Sequence, residues 1–72
     1  MVDIQRLKGK IIEKGFTVLT LSDQIGIDRT TLYRRFSDHG KSFTIGEIEQ
    51  IVSVLHLTEQ EAREIFFVQE VA

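Results

Sequence analysis

The chain has no cysteine, no proline and no tryptophan among its 72 residues. Without cysteine there is no disulfide, no thiolate metal ligand and no thiol nucleophile. That absence fits a reducing cytoplasm. Without proline nothing forces a break within a helix, and with only five glycines the composition favours a mostly helical chain. No apolar run approaches the ~20 residues of a membrane span. The opening MVDIQRLKGK lacks the apolar core of a signal peptide. These absences lead to the expectation of a soluble, cytoplasmic protein with no membrane partner.

Net positive charge is also lacking. Nine Lys and Arg stand against eleven Asp and Glu, giving −2, which by itself argues against a nucleic-acid binder. The distribution softens that reading. Up to Phe43 the chain carries eight basic and five acidic residues, and from Thr44 onward one basic and six acidic. A basic front half and an acidic rear half make a dipolar layout suited to docking on DNA. There is no internal repeat, low-complexity tract or linker, so residues 1–72 read as one domain. A domain of this size buries only about 60% of its unfolded surface, but 42% apolar residues allow it to fold without covalent staples.

The stretch TVLTLSDQIGIDRTTLYRRF, residues 17–36, organises the rest. Val18, Leu21 and Ile25 recur at helical spacing, and the small Ser22 on that face lets a second helix cross closely. Thr17 can cap this helix. Gly26 follows its end, where a left-handed residue satisfies the last carbonyls. Ile27 turns back to the core. Asp28 is placed to cap a second helix that sends Leu32 and Phe36 inward at i and i+4. Its other face shows Arg29, Thr30, Tyr33, Arg34 and Arg35. Two short helices about a glycine turn, the second with a polar basic face, form the pattern of a helix-turn-helix.

Three further helices flank this unit. Asp3 can cap a first helix with Ile4, Leu7 and Ile11 inward and Ile12 at the margin. Gly9 inside it suggests a close helix approach, and Arg6, Lys8, Lys10 and Lys14 decorate its outside, where some could touch phosphates and most are solvated. Gly15 ends it and Phe16 enters the core. After Phe36, SDHGKS is turn-forming, with Gly40 at positive φ and His39 exposed; Phe43 returns to the core. Thr44 and Glu47 form a capping box that opens a fourth helix, with Ile45, Ile48, Val52 and Leu55 on one face, Ile51 beside it and His56 at its end. Thr58 and Glu61 form a second box opening a fifth helix. Its apolar residues Ala62, Ile65, Phe66, Phe67, Val68 and Val71 are too many for one stripe. The surplus at Phe67, Val68 and Val71 reads as a partner surface or as a tail folded onto its own core.

On Leu21, Ser22, Ile25, Gly26, Ile27, Leu32 and Phe36 the chain resembles the lambda Cro/CI repressor family, the XRE-type regulators, with one helix before the unit and two after it. The resemblance implies an all-α, five-helix lambda-repressor-like domain from a small phage or prophage regulator. It implies a homodimer joined near Phe67, Val68 and Val71, with reading helices about 34 Å apart on one face of double-stranded DNA. Arg29, Thr30, Tyr33 and Arg34 would read bases. Arg29 or Arg34 can pair bidentately with guanine, and Tyr33 can touch a thymine methyl. Thr17, Thr31, Arg35, Lys41 and Ser42 would hold the DNA backbone.

Two positions differ from the family pattern. Many relatives place Gln where Val18 stands and Ser or Thr where Asp28 stands. The apolar Val18–Leu19 pair and the negative Asp28 suit a second possibility, a helix-turn-helix modulator or antirepressor that binds a phage repressor protein through Val18, Leu19 and the Tyr33/Arg34 face. No Ser–His or carboxylate–His spacing suggests an enzyme. No metal motif, cofactor or small-molecule ligand is expected.

Overall fold

The computed structural model of this chain describes residues 2–67. Over these residues run five helices and no strand. They are α1 (Ile4–Glu13), α2 (Val18–Ile25), α3 (Arg29–Ser37), α4 (Ile45–Val54) and α5 (Glu59–Phe66). Of the surplus apolar tail, Phe67 is described, while Val68 and Val71 lie outside the described residues.

Each helix start has a local cause. Asp3 accepts the Arg6 N–H at 3.0 Å. The expected boxes at Thr44/Glu47 and Thr58/Glu61 are both closed, so two orphan donors at each end are satisfied reciprocally. Thr17 caps α2 through a box with Thr20, each hydroxyl accepting the other residue's N–H. The expected cap at Asp28 is absent. Its backbone is extended, as a cap requires, but its carboxylate takes no hydrogen bond from α3 and stays exposed.

One apolar cluster gathers the five helices. Leu7, Ile11, Leu21, Leu32, Ile51, Leu55 and Ile65 are fully or almost fully buried, with Ile25, Phe36, Leu57 and Phe66 around them. Burying each such side chain contributes about 1.5–3 kcal/mol. Two expected core residues face outward. Ile12 is 75% exposed, because it stands about 100° round the helix from Ile11. Ile45 is 77% exposed, because the inward stripe of α4 centres on Ile51, not beside it, and Ile45 lies about 120° away.

Gly9 does not mark a close approach either. A Cβ there would meet nothing within 4 Å. Gly9→Ala is therefore expected to stabilise the domain by about 1 kcal/mol through helix propensity alone. In thermal unfolding that is a rise of about 4–8 °C; an unchanged or lower midpoint would refute it. Gly40 differs. It closes α3 at φ 77°, donating its N–H to the Arg35 carbonyl at 2.8 Å. A Cβ at Gly40 would sit 2.5 Å from Val2 Cβ. The chain start thus packs directly on the turn that follows α3.

Candidate nucleic-acid interface

The turn between α2 and α3 is built from Ser22 and Gly26. Gly26 adopts φ 75°, ψ 29°, a conformation that costs other residues about 1–2 kcal/mol. Its N–H and that of Ile27 both reach the Ser22 carbonyl, at 2.9 and 3.1 Å. The Ser22 hydroxyl is buried and donates to the Leu19 carbonyl at 2.7 Å. A small, internally satisfied side chain thus sits where α2 meets its neighbours.

α3 is anchored by Leu32 and Phe36 and turns Arg29, Thr30, Tyr33 and Arg34 to solvent. The four expected base readers therefore share one exposed surface. Thr31 lies half-buried at its edge. Tyr33 meets the Phe36 ring edge-on, with centroids 6.3 Å apart. Neither Arg29 nor Arg34 forms an ion pair among the described residues.

The expected backbone contacts divide. Lys41 is exposed and without an acidic partner among the described residues. Thr17 is exposed, its hydroxyl accepting the Thr20 N–H at 3.1 Å. Arg35 does not reach outward. It grips Glu47 with two bonds, Nε to Oε1 at 3.1 Å and Nη2 to Oε2 at 3.2 Å, and so ties the end of α3 to the start of α4. That guanidinium, with the Thr44 N–H, holds the Glu47 carboxyl below the usual carboxylate range. Ser42 is also engaged internally, donating its hydroxyl to Asp38. That hydroxyl, with backbone N–H groups of Ser42, Gly40 and Lys41, lowers the Asp38 pKa. The apolar pair splits as well. Val18 packs against the core, while Leu19 is about half exposed, at 49%.

The charge layout corrects the picture of a basic front and an acidic rear. α5 lies along α1 and neutralises it. Arg6 pairs with Glu64 at 2.7 Å, Lys10 with Glu61 at 2.6 Å and Lys14 with Glu61 at 3.9 Å. The Asp3 N–H also reaches the Ile65 carbonyl at 2.7 Å. Arg6, Lys10 and Lys14 follow one another at i+4, so one stripe of α1 meets the acids of α5. Lys8 stands on another face, with its Nζ 5.6 Å from the centre of the Phe36 ring. From sequence Lys8 is one of four equivalent cations on the outside of α1, some of which could touch phosphates. The i+4 stripe separated it from its neighbours, but which stripe would face α5 depends on packing. Five of the nine Lys and Arg side chains are bound to carboxylates: Arg6, Lys10, Lys14, Arg35 and Arg63. The four without such a partner among the described residues are Lys8, Arg29, Arg34 and Lys41, and all lie on α3, over Phe36 or in the turn after it.

The α1–α5 seam has a pH consequence. Lys10, then the Thr58 N–H, lower the Glu61 carboxyl from 4.5 to about 2. A depressed carboxylate contributes stability that is full above the unfolded value and lost as pH falls. Glu61→Gln keeps the capping box, which accepts Gln, and removes only the charge. The midpoint gap between wild type and variant should be constant near neutrality and close between pH 4.5 and about 2. A gap that does not change with pH would refute this role for Glu61.

Among the described residues no group of three His, Cys, Asp or Glu side chains could hold a metal ion. No helix there is long and apolar enough to cross a membrane. No protein-family model, curated protein or solved structure matches the chain.

Proposed function

We propose that this protein is a non-enzymatic, sequence-specific DNA-binding regulator of the Cro/CI type. In this reading α2 and α3 act as a helix-turn-helix. α3 enters the major groove with Arg29, Thr30, Tyr33 and Arg34 toward the bases. Lys41 and Thr17 hold phosphates on either side, and two copies bind successive turns of the duplex in the cytoplasm.

One observation carries the reading. The cations of α1 that could have spread positive charge over the molecule are bound to α5, and those left without a carboxylate gather around α3. A net charge of −2 is then no obstacle, because binding depends on the local field where the phosphates arrive.

The test is binding of the purified protein to DNA flanking its own gene, with competitor DNA present and at two salt concentrations. A regulator gives a specific shift that weakens steeply with salt. Binding that is absent, or lost entirely to competitor, overturns the reading.

A second reading has its own observation. Leu19 on α2 and Tyr33 on α3 are each about half exposed, and Asp28 leaves an uncapped carboxylate at the start of α3. Exposed apolar and aromatic side chains, with a free carboxylate at the start of α3, suit a protein partner such as a repressor better than a phosphate backbone. Association through such a surface would change little with salt.

A further inference from the structure

We propose that Lys8 is a further DNA-contact residue, a phosphate ligand supplied by α1 and aimed by the Phe36 ring. This rests on the reading of α3 as the DNA-reading helix and adds to it a contact from outside the helix-turn-helix.

The argument starts from how each cation of α1 is held. Arg6, Lys10 and Lys14 are held by carboxylates, which fix their position and cancel their charge. Lys8 is held by a neutral ring, its Nζ 5.6 Å from the Phe36 centroid. The negative face of an aromatic ring attracts an ammonium without neutralising it. The side chain is exposed, so its N–H donors remain available to a second ligand. Phe36 ties this position to the interface. It is buried on the inward side of α3, and the exposed Tyr33 ring abuts it edge-on, which links the position of Lys8 to the outer face of that helix.

The neighbouring packing sets where α1 meets α3. Val2 lies against Gly40 in the turn after α3, and Lys8 lies over Phe36 one turn back along that helix. Val2, just before α1, and the tip of Lys8 both reach the C-terminal end of α3. This brings Lys8 to the same end of the reading helix as Lys41. Two uncancelled ammonium groups from different elements then flank that end, where a strand of the duplex passes when α3 lies in the groove.

The experiment measures binding to a short fluorescent duplex of random sequence across about 50–200 mM salt. It compares wild type, Lys8→Gln, Lys8→Arg and Lys14→Gln, each checked for fold by circular dichroism. One lost phosphate contact lowers the slope of log affinity against log salt by about 0.9. Lys8→Gln should show that drop, with affinity several-fold to about tenfold weaker. Lys8→Arg should keep the wild-type slope. Lys14→Gln should keep it too, because Lys14 faces Glu61. A wild-type slope in Lys8→Gln, or equal drops in Lys8→Gln and Lys14→Gln, overturns the assignment while leaving α3 as the DNA-reading helix. A wild type without salt-dependent binding to any duplex overturns both.

Discussion

Phe36→Ala is expected to lower the unfolding free energy by about 3–5 kcal/mol. A 72-residue domain has about 4–11 kcal/mol in total, so the variant should be largely or wholly unfolded well below the wild-type midpoint. The size of the loss follows from the ring's position. Phe36 is 6% exposed and sits within a chain of four aromatic rings. Tyr33 meets it edge-on, Phe43 lies tilted at 6.5 Å, and Phe43 in turn meets Phe66 of α5 edge-on at 6.4 Å. Truncation removes the link that joins α3 to α5 through the turn and leaves a cavity that helices on several sides cannot close together. Aromatic pairs of this geometry add about 0.5–1.5 kcal/mol beyond burial. Phe36→Leu keeps most of the volume but loses both ring pairs, so it should cost about 1–3 kcal/mol, less than Phe36→Ala. Urea unfolding of both variants decides the matter. Near-wild-type stability in Phe36→Ala would mean that the ring is not the joint it is described as.

The residues that were legible from sequence are those whose role is set within about four positions along the chain. The threonine–glutamate boxes, the Asp3 cap, the left-handed Gly26 and the inward pair Leu32 and Phe36 each depend on a single helix end or a single helix period. What was not legible depends on which stripe of one helix meets which stripe of another. Ile12 and Ile45 are as apolar as Ile11 and Ile48, and only the centring of the core on Leu7, Ile11 and Ile51 leaves them outside. Asp28 has the residue type and backbone of a cap, yet its carboxylate makes no such bond. Side-chain rotation at an exposed helix start costs little and leaves no trace in the sequence.

The charged residues make the same point at the interface. Arg35 continues a run of basic residues on α3 and reads as one more phosphate contact. Its partner Glu47 is twelve positions away and reads on its own as half of a capping box. Glu47 does both, because its Oε1 accepts the Thr44 N–H at 3.1 Å and the Arg35 Nε at 3.1 Å. Ser42 stays exposed, but its hydroxyl is taken up by Asp38. These internal bonds narrow the cations without a carboxylate partner among the described residues to Arg29, Arg34, Lys41 and Lys8.

That narrowing sets the second large effect. Arg29→Ala and Arg34→Ala are each expected to weaken binding to the specific site by about 1–3 kcal/mol, or about 5- to 150-fold, if each guanidinium spans a guanine. Together they should bring specific binding down to the level of competitor DNA. The two arginines need not break internal ion pairs to reach a base, since none is formed among the described residues. Their loss should therefore leave stability within about 0.5 kcal/mol, the usual range for surface substitutions. Arg35→Ala provides the contrast. It strands Glu47, which is mostly shielded from solvent, so it should lower the unfolding midpoint while base preference among the remaining folded molecules stays the same. Leu19→Asp closes the comparison. On DNA it adds one negative charge near the interface and weakens all sequences alike. On a protein partner it places a carboxylate in the apolar contact and abolishes binding. If the arginine variants keep full affinity and Leu19→Asp loses it, the outer faces of α2 and α3 serve a protein partner, and their cations fix orientation instead of reading bases.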